Sequence, residues 1–146
     1  MTKYKTPVSV LVVIHTPDLQ VLLLERADHP GFWQSVTGSQ DAGETLAETA
    51  RREVAEETGI AAADHVLSDW QIQNQYEIYP QWRWRYAPRV THNVEHVFGL
   101  CVPAPIPVSI SAREHLGFVW LPHEQAADKV FSWSNAKMLR LLSSKV

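Results

Sequence analysis

The chain has 146 residues, of which 45% are hydrophobic and 20% charged, as expected for one globular domain. Its formal net charge of −3 argues against indiscriminate binding to nucleic acid or to membranes. The single cysteine, Cys101, excludes an intrachain disulfide and a cysteine-based zinc site. Since no apolar run is long enough to cross a bilayer, we expect a cytoplasmic protein.

The predicted elements are mostly strands. Apolar stretches bounded by turn residues predict strands at 8–14, 21–25, 32–37, 70–79, 95–102, 108–110 and 118–121. A loop over 38–44 precedes a helix, because Thr45 and Glu48 have capping-box spacing and Gly59 stands where a C′ glycine belongs. The tail over 123–142 is also predicted to be helical. This order predicts an α/β (α+β) fold in a single domain over residues 1–146, with a mixed sheet sandwiched between helices.

The first predicted helix carries carboxylates beside its apolar stripe. At about 100° per residue, Glu53 and Glu57 project within about 20° of Leu46, and Glu56 about 80° to one side. A solvated acidic face would lie opposite Leu46. Carboxylates on the inward side repel each other unless a cation neutralises them. Clustered oxygen ligands favour Mg²⁺, with Mn²⁺ as a possible substitute, and so predict phosphate chemistry.

The spacing from Gly38 through Glu44 to the run over 52–60 matches G-x5-E-x7-R-E-U-x-E-E-x-G-U, where U is aliphatic. This segment, 38–60, resembles the Nudix box at every specified position. The resemblance implies the Nudix fold with its loop–helix–loop, and metal-driven hydrolysis of a nucleoside diphosphate linked to another group. It implies that Glu53 and Glu57 are metal ligands and Glu56 a third or water-mediated one. It also implies that Glu44 and Arg52 brace the loop without taking part in the chemistry, and that Gly38 and Gly59 are needed for the backbone conformation.

The flanking segments are similar to the dihydroneopterin triphosphate diphosphatases, a bacterial Nudix branch of folate biosynthesis that also cleaves dATP. The matching stretches are 5–9, 32–38, 85–88, 114–116 with Trp120, and 132–135. This resemblance implies a small-molecule triphosphate substrate, with no nucleic-acid, membrane or obligate protein partner expected. The positions that it assigns to substrate binding are Lys5, Arg26, Thr37, Tyr76, Glu77, Ile78, Tyr79 and Ser132.

A late carboxylate is expected to complete the metal site or to act as the base. The resemblance favours Glu114, in the loop before the strand at 118–121, and Glu95 is the alternative. The expected reaction is attack of a bound water on the α-phosphorus, which releases pyrophosphate and a monophosphate.

Three alternatives to this function stay open. The chain could be a broad (d)NTP pyrophosphatase or an RNA 5′ pyrophosphohydrolase, a Nudix-fold module that only binds a nucleotide, or a protein with an acidic contact helix. Aromatic and basic residues alternate over 82–86, which is typical of a site for single-stranded nucleic acid or of a half-buried strand. We favour the half-buried strand, with Arg83 or Arg85 near the triphosphate. The seven histidines have no metal-binding spacing on a helix, and none is assigned to a metal.

Overall fold

The computed structural model describes residues 3–146, and its strands form one seven-stranded mixed sheet. In chain order the strands are β1 (Val8–His15), β2 (Gln20–Arg26), β3 (Trp33–Gln34), β4 (Val36–Ser39), β5 (Val66–Glu77), β6 (His92–Cys101) and β7 (His115–Pro122). The helices are α1 (Leu46–Thr58), α2 (His123–Lys129) and α3 (Trp133–Leu141), with 3-10 turns at Ala62–Asp64, Pro80–Arg85 and Leu142–Ser144.

Strand β1 lies at the centre of the sheet, whose main order is β3-β2-β1-β6-β5. It runs parallel to β6 and antiparallel to β4 and β2, and β7 is added antiparallel to β2. The predicted mixed sheet is therefore confirmed, with β1 and β6 as its parallel pair.

Both faces of the sheet are covered, which explains the unbroken apolar run of β1. Val10, Val12 and Ile14 pack into the core beneath α1, and Leu11 and Val13 pack on the other face with residues of α2 and α3. A strand buried on both faces needs apolar residues at every position rather than at alternate ones. Each fully buried aliphatic side chain contributes about 1.5–3 kcal/mol.

The predicted ends of α1 are confirmed. The Thr45 hydroxyl accepts a 3.1 Å hydrogen bond from the Glu48 N–H, and the Glu48 carboxylate accepts one of 2.8 Å from the Thr45 N–H. Gly59 follows the helix in the left-handed region, with φ of 73°. An L side chain would be strained there.

Two predicted strands are wrong. Residues 108–110 form no strand; they cross the end of α1, where the Ser109 N–H donates to the Thr58 carbonyl at 2.9 Å. Val108 and Ile110 pack against the core on that side, so their alternation reflects packing without a strand partner. Residues 82–86 also form no strand, because Pro80 begins a 3-10 turn there.

The remaining predicted elements differ in their bounds. The strand expected over 32–37 is divided at Ser35, whose N–H donates to the Asn135 side chain at 2.8 Å instead of to a neighbouring strand. The helical tail is likewise divided into α2 and α3. Strands β5, β6 and β7 begin three or four residues earlier than predicted. Of the helices formed by residues 3–146, none has the length and apolarity to span a membrane.

Candidate active site

A cavity of about 330 Å³ opens between α1, the central strands and the start of α3. Most of the predicted site residues line it: Lys5, Arg26, Thr37, Gly38, Glu53, Glu56, Glu57, Tyr76, Ile78, Tyr79, Glu114 and Ser132. Glu77 does not, because it lies exposed on β5. Residues from across the chain thus meet in one place.

Helix α1 turns two carboxylates inward. Glu57 is 3% exposed, and its Oε1 atom lies 3.4 Å from His115 Nε2. Its Oε2 atom is buried and has no hydrogen-bond partner among residues 3–146. Glu53 is mostly buried beside it, whereas Glu56 is exposed on the outer flank. The helical geometry predicted for these three side chains is the geometry that the structure has.

The electrostatics of this pair favour a cation. Burial first, and then the neighbouring Glu53 and Glu114, raise the pKa of Glu57 well above its ordinary value. Burial also raises the pKa of Glu53, and the Arg52 guanidinium opposes that rise. Like charges forced together out of water are destabilising until a proton or a cation neutralises them.

The donor chemistry of the α1 carboxylates fits a hard divalent ion. Mg²⁺ prefers oxygen ligands, and the buried Glu57 Oε2 atom, which no hydrogen bond from residues 3–146 occupies, is free to serve as one. Glu114 stands close enough for its charge to act on Glu57. Within residues 3–146, no three His, Cys, Asp or Glu side chains are already gathered around a metal position. The fit therefore rests on Glu53 and Glu57, since Mg²⁺ completes its shell with water and substrate oxygens.

Arg52 connects the loop before α1 to the carboxylates on α1. Its Nε donates to Glu44 at 2.7 Å, its Nη1 to Glu53 at 2.8 Å and its Nη2 to the Ser39 carbonyl at 3.0 Å. Hydrogen bonds from Arg52, and next from the Asp41 N–H, lower the pKa of Glu44 to about 2. Glu44 therefore stays ionised and, through Arg52, helps to fix the carboxylate of Glu53.

Gly38 leaves the space that Glu53 occupies. A Cβ atom at position 38 would come within 2.0 Å of the Glu53 Cδ atom. Any side chain there would push the Glu53 carboxylate out of its position.

Positive groups line the cavity beside the carboxylates. Arg26 donates to both carboxylate oxygens of Asp28 at 2.7 Å and to Gln34 at 3.0 Å, and its guanidinium lies 4.2 Å from the centre of the Trp82 ring. Arg85 also binds Asp28, at 3.0 Å. Hydrogen bonding to Arg26 lowers the pKa of Asp28 to about 2, so this carboxylate stays charged. Arg26 is held in one orientation before any ligand arrives.

Lys5 adds another positive group at the edge of the cavity. Its N–H donates to the Arg85 carbonyl at 2.9 Å. Desolvation in the cavity, and then the charge of Arg85, lower the pKa of Lys5, while Glu53 and Glu57 oppose that effect. Lys5 is therefore within electrostatic reach of the α1 carboxylates.

Aromatic rings line another part of the cavity. The ring centres of Tyr79, Trp82 and Phe131 lie 5.6–5.7 Å from one another. The Tyr76 hydroxyl accepts a 3.1 Å hydrogen bond from Asn93, which also donates to Ser9 at 2.7 Å. Such a wall suits a planar heterocycle.

The two hydroxyl residues predicted to bind substrate have structural partners as well. Thr37 donates to the Val10 carbonyl at 2.9 Å, and Ser132 caps α3 by accepting from the Asn135 N–H at 3.3 Å. Both nevertheless line the cavity.

The structure separates the two candidates for the late carboxylate. Glu114 is exposed at the start of β7, and its charge raises the pKa of Glu57. Glu95 is buried on β6, and its charge raises the pKa of Tyr76 and Tyr79, after the larger effect of burial. Glu114 thus stands with the α1 carboxylates, and Glu95 with the tyrosines.

Several residues of the cavity were not predicted as site residues: Asp28, Trp82, Asn93, His115 and Phe131. Trp82 was interpreted as ordinary strand packing, but the turn at Pro80–Arg85 places it over Arg26 and lets its Nε1 donate to Asp28 at 3.0 Å. The sequence contains six tryptophans, and nothing in it distinguishes Trp82 from the other five.

Comparison with known proteins identifies the family. The family model described as the NUDIX domain matches residues 5–142. The chain belongs to the Nudix family. Nudix hydrolases generally use divalent metal ions. The family predicted from the segment 38–60, and the α/β fold that it implied, are therefore confirmed.

The Nudix relatives of this chain include matches over nearly the full length of both proteins. The dihydroneopterin triphosphate diphosphatase of Escherichia coli K12 is 46% identical over 139 residues, covering 93% of this chain and 91% of the relative. The Haemophilus influenzae protein of the same name is 41% identical, covering 96% and 89%. The solved structure of the E. coli dihydroneopterin triphosphate pyrophosphohydrolase matches with a TM-score of 0.91 at 43% identity, covering 98% and 99% of the two chains.

Proposed function

We propose that this chain acts as a single Nudix domain that hydrolyses dihydroneopterin triphosphate to the monophosphate and pyrophosphate in a Mg²⁺-dependent reaction. The observation that carries the proposal is the composition of one cavity, which joins paired carboxylates, basic side chains and an aromatic wall. The near full-length identity to relatives named for this activity supports the choice of substrate. dATP, and other (d)NTPs, are proposed as further substrates.

The basic residues have the arrangement needed to bind the triphosphate. Arg26 is already oriented by Asp28 and Gln34, so little side-chain entropy is lost when it binds phosphate oxygens. Lys5 contributes a second donor, and both can stabilise charge that develops in the transition state. Thr37 and Ser132 contribute hydroxyl groups.

The four glutamates have two roles, metal binding and activation of water. Glu53 and Glu57 would hold the divalent ion, with Glu56 as a further or water-mediated ligand. A bound divalent ion supplies charge neutralisation and lowers the pKa of water. Glu114 orients the attacking water or accepts its proton. His115 packs against Glu57, and Arg52 fixes Glu53, so these carboxylates keep their positions through the reaction.

The test is pyrophosphate release from dihydroneopterin triphosphate, dATP, 8-oxo-dGTP and triphosphorylated RNA, with Mg²⁺ and after EDTA. We expect the pterin to have the highest kcat/KM and EDTA to abolish its turnover. A higher kcat/KM for another substrate would refute the proposed substrate, and turnover that survives EDTA would refute the metal site.

Glu57→Gln tests the site itself. The change removes a charged ligand without altering side-chain volume, so we expect turnover to fall about 100- to 1,000-fold while the fold is retained. Glu124→Gln is the matched control, because Glu124 is an exposed acid in the first turn of α2. Near-normal turnover in the Glu57 variant would contradict the assignment.

A further inference from the structure

Glu95 is a buried carboxyl group on the wall of the cavity, with an unfilled hydrogen-bonding position. It is 4% exposed, and its Oε1 atom has no hydrogen-bond partner in the described part of the chain. It lies on β6 with Ser9 of β1 on one side and Asn74 of β5 on the other. The hydroxyl of Ser134 on α3 is close enough to its carboxyl group to donate a hydrogen bond to it.

The surroundings of Glu95 differ from those of the α1 carboxylates. Among the described residues, burial and the Ser134 hydrogen bond account for its shifted pKa, without a contribution from Arg26 or Lys5. Asn93 donates both to Ser9, the register partner of Glu95, and to the Tyr76 hydroxyl, and the charge of Glu95 acts on Tyr76 and Tyr79. Glu95 therefore belongs to the aromatic part of the cavity, where a heterocycle rather than a phosphate would lie.

We propose that Glu95 determines specificity by accepting two adjacent N–H groups of the bound heterocycle. This inference rests on the proposed function and deepens it. The pyrimidine edge of a pterin presents its 2-amino group and its ring N3–H side by side, and these two donors match the two oxygens of a carboxylate. The ligand class is a planar ring with a 2-amino-4-oxo-pyrimidine edge.

The Glu95 carboxylate can bind the 2-amino-4-oxo-pyrimidine edge and disfavours rings that present a carbonyl group in place of the 2-amino group. An ionised carboxylate only accepts hydrogen bonds, and has lone pairs left for two N–H donors after Ser134 is bound. Where the 2-amino group is replaced by a carbonyl, an acceptor would face an acceptor in a buried site. A buried polar group left without its partner is the basis of the strongest discrimination between similar ligands.

The direct test compares binding of pterin and lumazine, which differ by an amino or an oxo group at position 2. Neither carries phosphate, so calorimetric titration at pH 7.5 in EDTA is independent of turnover and of metal. We expect the wild type to prefer pterin by about 10- to 100-fold, as for hydrogen bonds to a charged group. In Glu95→Gln the amide has one donor and one acceptor, so the preference should vanish or reverse towards lumazine.

Steady-state kinetics separate recognition from catalysis. For dihydroneopterin triphosphate, Glu95→Gln should raise KM about 10- to 100-fold with kcat nearly unchanged. A fall in kcat at constant KM would overturn the assignment, since it would place Glu95 among the reacting groups. Ser134→Ala serves as a second variant, because it keeps the carboxylate and removes one hydrogen bond. It should reduce the pterin preference severalfold without abolishing it.

The outcomes distinguish this inference from the proposed function. A wild type without preference for pterin, or a preference unchanged in both variants, overturns the role of Glu95 even if dihydroneopterin triphosphate is hydrolysed. A preference lost in Glu95→Gln supports that role even if the wild type releases no pyrophosphate, in which case the proposed function alone fails.

Discussion

Replacing Glu95 with Gln should make the protein more stable above neutral pH and flatten part of the pH dependence of its stability. Burial raises the pKa of Glu95 to about 7 from the ordinary 4.5, with Ser134 opposing the rise. The folded chain therefore binds more protons at this site than the unfolded chain between those values. The stability contributed by the protonated group is fully present below pH 4.5 and is lost as pH rises through 7.

The magnitude follows from the size of the shift. A difference of about 2.5 pKa units corresponds to about 3 kcal/mol of unfolding free energy, at 1.36 kcal/mol per unit. Gln has the volume of Glu and stays neutral, so the variant should not lose this unfolding free energy as pH rises. We expect the stability difference between Glu95→Gln and wild type to grow by about 3 kcal/mol from pH 4.5 to pH 8.

Urea denaturation in EDTA at several pH values measures this difference. Comparing variant and wild type at each pH cancels the titration of the other carboxylates, provided that they do not interact with Glu95. Glu124→Gln, a change of the same kind at an exposed site, should give a difference that hardly varies with pH. A constant difference for Glu95→Gln would refute the reasoning, because it would mean that Glu95 is ionised in the fold at little cost.

Two further predictions concern packing around the site. Gly38→Ala should lower kcat/KM about 100-fold with little loss of thermal stability, because its Cβ would displace the Glu53 carboxylate. Gly117→Ala, whose Cβ would meet no atom of residues 3–146 within 4 Å, should retain wild-type activity, and equal activity in the two variants would count against the role of Gly38. Asn135→Ala should lower the unfolding free energy by about 1–3 kcal/mol in urea titrations, because the buried Ser35 N–H and hydroxyl lose their partner. A loss below about 0.5 kcal/mol would show that water replaces Asn135.

The parts of the fold that could be predicted are those whose signals are local. The capping pair Thr45 and Glu48 and the terminal Gly59 define α1 through contacts within a few residues, and the sequence contains all of them. The strand at 108–110 was mispredicted because alternation reports which side chains are buried, not whether a backbone partner lies alongside. The division at Ser35 depends on Asn135, one hundred residues away.

The same distinction applies to the site. Glu53, Glu56 and Glu57 share one helix, so their spacing alone places them together. Trp82 reaches Arg26 only because the turn at Pro80–Arg85 brings it back over β2, and Ser134 reaches Glu95 through the packing of α3 on the sheet. Glu95 was considered only as the alternative late carboxylate, because nothing in its sequence neighbourhood reveals which part of the cavity it faces.

The parallel pairing of β1 with β6 has a consequence for the synthesis of the chain. Val8 is the register partner of Val94, 86 positions later. At about 5–20 residues per second, β1 waits roughly 4 to 17 s for that partner during translation. A nascent chain stalled before β6, or a fragment ending there, exposes a long apolar strand with unpaired backbone groups along one side, which is a template for aggregation. Nascent chains are therefore expected to need chaperone capture until β6 has been made, and fragments that end before β6 are expected to need it permanently.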